Sequence, residues 1–243
     1  MNSWLLRRSR RPAAAHRLYC FAFAGGSPGV YLPWEQRLPG IEVWGVLLPG
    51  RGKRFAEPPI DRVPALVEAL LAEVELRAPY LLFGHSLGAL LAFETARALE
   101  AAGRPAPEAL IVSAHRPPHR PYEDQPITNW PDADFLAEAT RRYPPPPELA
   151  EDAELLARSY QMLRADLRLV ESYRHQPGRP LRCPIEVISG VADHWSEQDL
   201  AGWSAHTLAD CRITMVPGGH HYLLDRPDEV LKVVADRTGG ALL

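Results

Sequence analysis

The chain has 243 residues, 46% hydrophobic and 23% charged, enough apolar material for one substantial core. Its formal net charge of -3 lacks the basic excess that binding to a phosphate backbone favours, so nucleic acid is not expected as a partner. Cys20, Cys183 and Cys211 form an odd set without metal-ligand spacing, and no apolar run is long enough to span a bilayer. The expectation is a reduced, cytoplasmic monomer with no metal, no cofactor and no membrane partner.

The chain opens on a basic stretch, Arg7-Arg8-Ser9-Arg10-Arg11, which has the paired arginines of an export signal. Pro12, three alanines, His16 and Arg17 then stand where an apolar segment would be needed. Residues 1–16 are therefore expected to be a flexible basic extension, and 17–243 a single domain. Short apolar runs at 18–23, 41–47, 80–83, 109–113, 185–189 and 212–216 predict strands. Helical patterns alternate with them, as in a parallel sheet covered by helices on both faces. Leu66, Val67, Leu70, Leu71 and Val74 recur at helical spacing opposite Glu68, Glu73 and Glu75, which predicts an amphipathic crossover helix. A second stripe, Leu90, Phe93, Ala96 and Leu99, ends at Gly103, a natural helix stop. Residues 116–176 break the alternation, with helical patterns at 132–142 and 151–173 and a run of four prolines at 144–147. They predict a helical lid inserted over the sheet, or simply a long crossover without a gating role.

The chemistry starts at Gly84-His85-Ser86-Leu87-Gly88, which follows the apolar run 80–83 and opens the second helix. In that context G-x-S-x-G is a nucleophile elbow, a strained turn that lifts a serine hydroxyl above the sheet. A serine hydroxyl needs a base within hydrogen-bond reach, and on this architecture the partners follow in the order acid, then histidine. Asp193 lies just past the strand at 185–189, and His220 just past the strand at 212–216, behind Pro217-Gly218-Gly219. Asp199 and Asp210 are rivals for the acid, and His194 and His221 for the base. The oxyanion that forms at the attacked carbonyl also needs donors. The Leu87 N–H, directly after the nucleophile, is one. The loop Phe23-Ala24-Gly25-Gly26-Ser27 supplies the other, assigned to Ala24 with Phe23 as next candidate.

These segments resemble the type II thioesterases that accompany nonribosomal peptide and polyketide synthases, from about Leu18 to Val234. The matching stretches are Ala24-Gly25-Gly26-Ser27, Leu48-Pro49-Gly50-Arg51-Gly52-Lys53-Arg54 with Glu57-Pro58-Pro59-Ile60, and Phe83-Gly84-His85-Ser86-Leu87-Gly88-Ala89 with Phe93-Glu94. Leu163-Arg164-Ala165-Asp166, Glu171-Ser172-Tyr173 and Gly219-His220 match as well. The resemblance implies an α/β-hydrolase fold with a helical lid and a triad of Ser86, Asp193 and His220. It implies hydrolysis of acyl groups from the phosphopantetheine thiol of acyl or peptidyl carrier proteins, with small acyl thioesters as further substrates. Another serine esterase, or an acyltransferase or chain-releasing enzyme of this fold, would share the elbow. Two positions depart from the family's pattern: Ala22-Phe23, where proline and a polar or aromatic residue are more usual, and His221, where an aromatic is usual. Arg51, Lys53 and Arg54 would suit an acidic carrier protein or a simple solvated turn equally well.

Overall fold

The computed structural model describes residues 3–145 and 151–243. Part of the proline run at 144–147, and part of the stretch expected to be a lid, lie outside the described residues.

Seven strands form one sheet: β1 (Leu5–Leu6), β2 (His16–Phe21), β3 (Ile41–Val46), β4 (Tyr80–His85), β5 (Ala109–Ser113), β6 (Ile185–Gly190) and β7 (Cys211–Val216). Their spatial order is β1-β3-β2-β4-β5-β6-β7, with β1 antiparallel to its neighbour and the others parallel. Six strands match the expected runs to within a few residues. For the described residues 3–16, the seventh corrects the reading of 1–16 as a flexible extension. Leu5 and Leu6 pair with Val46 and Gly45, Trp4 is buried, and Arg7 and Arg11 meet the buried carboxylates of Glu42 and Glu35. These two arginines thus have partners, and the apolar residues Trp4, Leu5 and Leu6 that precede them have a sheet edge to cover.

Alternation along the strands divides the core into two layers. In β2, Tyr19 and Phe21 face one layer while Leu18 and Cys20 face the other; in β4, Tyr80 and Leu82 oppose Leu81 and Phe83. Both faces are apolar, as a sheet sandwiched between helices requires. The first layer is closed by α1 (Val63–Glu73) and α2 (Leu87–Ala101), through Leu66 and Leu70 of one and Leu90, Phe93 and Leu99 of the other. α1 begins with Pro64 in its first turn, where the missing N–H costs nothing. The second layer is closed by Tyr31 and Trp34 of the 3-10 segment Pro28–Gln36 and, from the far end of the chain, by Val230, Leu231 and Val234.

Between β5 and β6 lie α3 (Asp132–Arg142) and α4 (Ala153–Ser172), the latter capped by the Asp152 carboxylate on the Glu154 and Leu155 amides. They share a small core of their own, built from Ile127, Phe135, Ala139, Tyr160, Leu163 and Leu167. Single helical turns, α5 (Glu197–Leu200) and α6 (Tyr222–Asp225), follow β6 and β7. α7 (Pro227–Thr238) then ends at Gly239 in the left-handed conformation common after a helix. Cys20 and Cys183 are buried and all three thiols are free. Among the described residues no helix is long and apolar enough to cross a membrane.

Candidate active site

Strand register fixes where the site forms. Phe21 stands beside Gly84, His85 beside Ser113, Ser113 beside Ile188, and Gly190 beside Val216, so β2, β4, β5, β6 and β7 end along one rim. Ser86 follows β4 at φ 54 and ψ -120, a conformation a non-glycine residue adopts only under strain, and its N–H is held by the Ser113 carbonyl at 2.8 Å. Both elbow glycines are required by contact. A Cβ on Gly84 would overlap the Gly88 carbonyl, and a Cβ on Gly88 would overlap the Phe21 carbonyl. Without side chains at these two positions, the start of α2 can press against β2 and turn Ser86 outward.

The Ser86 Oγ lies 3.0 Å from His220 Nε2, and His220 Nδ1 lies 3.0 and 3.1 Å from the two oxygens of Asp193. With a carboxylate on Nδ1, the ring keeps its proton there and presents the Nε2 lone pair to the hydroxyl. The loops carrying Asp193 and His220 can approach because Gly190 has no side chain; a Cβ there would strike the Gly218 and Gly219 carbonyls. The Asp193 carboxylate is wholly shielded from solvent and also accepts the His194 N–H at 2.7 Å. Burial alone would raise its pKa. The hydrogen bond and charge of His220, with the His194 contacts, outweigh that, so the carboxyl is held below its ordinary value and stays ionised.

Among the described residues none of the rivals joins this line through its side chain. Asp199 caps α5 with Ser196 and pairs with Arg120. His194 meets Asp193 through its main chain, and the His221 ring rests 5.1 Å from that of Phe23. The two departures from the family pattern therefore touch each other beside the site.

Leu87 is the first residue of α2, so its N–H has no acceptor within the helix and lies at the positive end of the helix dipole. In the facing loop, the Gly25 N–H donates to Asp166 Oδ2 at 2.8 Å and the Gly26 N–H to the Phe23 carbonyl at 2.9 Å. The amides of Ala24 and Phe23 are thus left as the candidate donors to a substrate. This loop is held by a buried clamp that sequence reasoning did not find. Asp166 of α4 and Arg51 form an ion pair, both nearly inaccessible, and Arg51 also donates to the Gly26 carbonyl at 2.9 Å. Arg54 is likewise buried, over the Trp4 ring and paired with Glu57. The idea that Arg51 and Arg54 could meet an acidic partner is therefore corrected: their charges face inward, to carboxylates of the same chain. Among the described residues no cluster of three or more His, Cys, Asp or Glu side chains could hold a metal ion.

A mainly parallel sheet with helices on both faces, and a strained serine at the strand-to-helix turn on its rim, define the α/β-hydrolase class. The thioesterase domain model matches residues 16–238, and the chain belongs to that family. It is 31% identical to the gramicidin S biosynthesis protein GrsT of Aneurinibacillus migulanus, over 96% of this chain and 92% of that one. It is 35% identical to the thioesterase PikA5 of Streptomyces venezuelae, over 96% and 84%. Among solved structures, the type II thioesterase BorB from the borrelidin biosynthetic cluster superposes with a TM-score of 0.85 at 35% identity, covering 96% of this chain and 97% of that one.

Proposed function

We propose that this thioesterase hydrolyses acyl groups from the phosphopantetheine thiol of acyl or peptidyl carrier proteins, clearing misprimed or stalled synthase modules of secondary metabolism, through an acyl-Ser86 intermediate. The observation that carries the mechanism is the unbroken line of hydrogen bonds from Ser86 Oγ through both nitrogens of His220 to Asp193. Its relatives named for gramicidin S and borrelidin biosynthesis support the setting.

In the first half-reaction His220 Nε2 takes the hydroxyl proton as Ser86 Oγ bonds to the thioester carbonyl carbon. The carbonyl pair moves onto oxygen, where the amides of Ala24 and Leu87 receive the charge. Collapse breaks the C–S bond, and the imidazolium, steadied by Asp193, returns its proton to the departing sulfur. A thiol's pKa near 8.5 makes this an easy departure, so little protonation is needed in advance. In the second half-reaction His220 takes a proton from water, hydroxide attacks the acyl-serine, and the free acid leaves as Ser86 recovers its proton. The insertion carrying α3 and α4 acts as a lid, with Ala24 of the oxyanion loop packed against the small core that includes Leu163.

The test is hydrolysis of a panel of acyl-phosphopantetheinyl carrier proteins, followed by intact mass. Wild type should release the acyl group, and Ser86→Ala should not. Equal release by both proteins, or release only from oxygen esters, would overturn the proposal.

A further inference from the structure

We infer that Tyr222, Ser113 and His85 form a buried positioning chain that fixes the His220 loop against the nucleophile elbow. The inference rests on the triad reading above and adds residues to it. Tyr222 Oη lies 2.6 Å from Ser113 Oγ, which lies 2.8 Å from His85 Nδ1. All three side chains are buried, Ser113 and His85 completely and Tyr222 at 2% exposure, so none of these groups can exchange its partner for water.

Each member belongs to a different part of the site. His85 is bonded to Ser86 in sequence. The Ser113 carbonyl holds the Ser86 N–H, so the same residue touches the elbow through its main chain and its side chain. Tyr222 stands two residues after His220 and begins α6. Its N–H closes the turn on the Gly219 carbonyl at 3.1 Å, and its Cβ would come within 2.9 Å of a Cβ on Gly218. The hydroxyl of Tyr222 is thus the point at which the turn bearing the base is fastened to β5.

The direction of the chain follows from the protonation of its ends. Burial raises the Tyr222 phenol well above its ordinary value, so it is a donor. Burial, then the neighbouring His220 and His221, pushes His85 far below the ordinary histidine value, so its ring is neutral and can accept at Nδ1. Tyr222 donates to Ser113, and Ser113 donates to His85. The reverse order would leave the phenolic proton without an acceptor, whereas this one leaves the ring proton on His85 Nε2, a buried atom without a hydrogen-bond partner. Apolar packing alone would be met by phenylalanine at 222; the hydroxyl adds a fixed height and azimuth for the loop. The 3.0 Å approach of His220 to Ser86 is sensitive to that setting, since small misplacements of reacting groups are costly to rate.

The experiment compares wild type, Tyr222→Phe, Ser113→Ala and the double variant. It reads kcat and KM on a propionyl N-acetylcysteamine thioester, the rate at which a small fluorophosphonate labels Ser86, and the thermal midpoint. Each single variant should lose about fivefold in kcat and in labelling rate with KM unchanged, as for one lost hydrogen bond, and the double should be no slower than the slower single. The midpoint should fall by about 2–4 °C in Tyr222→Phe and by more in Ser113→Ala, which strands two buried groups, so the rates are compared at a temperature where every variant is fully folded. Wild-type kcat and labelling in both single variants would overturn the inference, as would losses that merely track the folded fraction. If wild type lacked thioester turnover, or Ser86→Ala kept it, the proposed function would fail instead. Labelling of Ser86 would still read the positioning chain.

Discussion

Replacing Arg51 by methionine tests how the insertion is fastened to the loop beside Ser86. The guanidinium and the Asp166 carboxylate are both almost fully buried, so removing one leaves the other charged, desolvated and unpaired. Breaking such a pair costs about 3–5 kcal/mol, and the lost bond to the Gly26 carbonyl adds about 1 kcal/mol. For a domain of this size each kcal/mol lowers the midpoint by about 2–4 °C, which gives a fall of roughly 10 °C or more by circular dichroism. Adding Asp166→Leu removes the stranded carboxylate and should recover part of the loss, although the Gly25 N–H then has no acceptor. Ser86 and His220 lie outside the clamp, so protein that remains folded at low temperature should still be labelled by a fluorophosphonate. A fall of less than about 3 °C in Arg51→Met, or a double variant far less stable than the single, would refute the clamp as a stabilising element.

Asp193→Asn keeps the shape of the acid but favours the wrong ring tautomer, and kcat should drop by about 10³–10⁴-fold while the midpoint changes little; a loss under tenfold would discount Asp193. Gly88→Ala forces a Cβ onto the Phe21 carbonyl, so this variant should fail to accumulate as folded protein, and a soluble, active Gly88→Ala would contradict the packing of α2 on β2. His206 is pushed down to about 4 by burial, then by the charges of His119 and His175. The unfolded chain takes this proton below the ordinary value of about 6.5, whereas the folded chain resists it until about 4, so stability falls as pH drops through that window and the loss levels off below it. His206→Asn should reduce the slope of midpoint against pH between 6.5 and 4 by one proton's share, the buried His85 and His115 supplying the rest, and superimposable slopes would remove His206 as a contributor.

Periodicity and turn residues were sufficient for six strands and for the helices that cover one face and fill the insertion, because both faces of the sheet are apolar and its ends are marked by glycine and proline; the 3-10 segment Pro28–Gln36 and the helix Pro227–Thr238, which close the other face, were not read from the sequence. The meeting of Ser86, Asp193 and His220 was legible for a related reason: each lies within four residues of the end of a strand, so knowing the strands nearly fixes the rim. β1 escaped because two residues carry no period, and the charged residues around it suggest a solvated tail until Glu35 and Glu42 are seen opposite them. Arg51 was ambiguous because spacing along the chain does not say which carboxylate a charge will meet, and its partner lies 115 residues away. The Tyr222 hydroxyl was hidden for the same reason, since its bond to Ser113 spans 109 residues and leaves no local pattern.

The smallest strand bears on how the protein behaves in bulk. β1 lies against the outer border of β3, beside Gly45 and Val46, while Trp4 accepts the Leu47 N–H at 2.7 Å. A chain trimmed of its first dozen residues would retain every group proposed for turnover. It would also present a bare β border to its neighbours, a ready template for self-association. Such trimming would register first as clouding and loss of yield, long before any change in the chemistry.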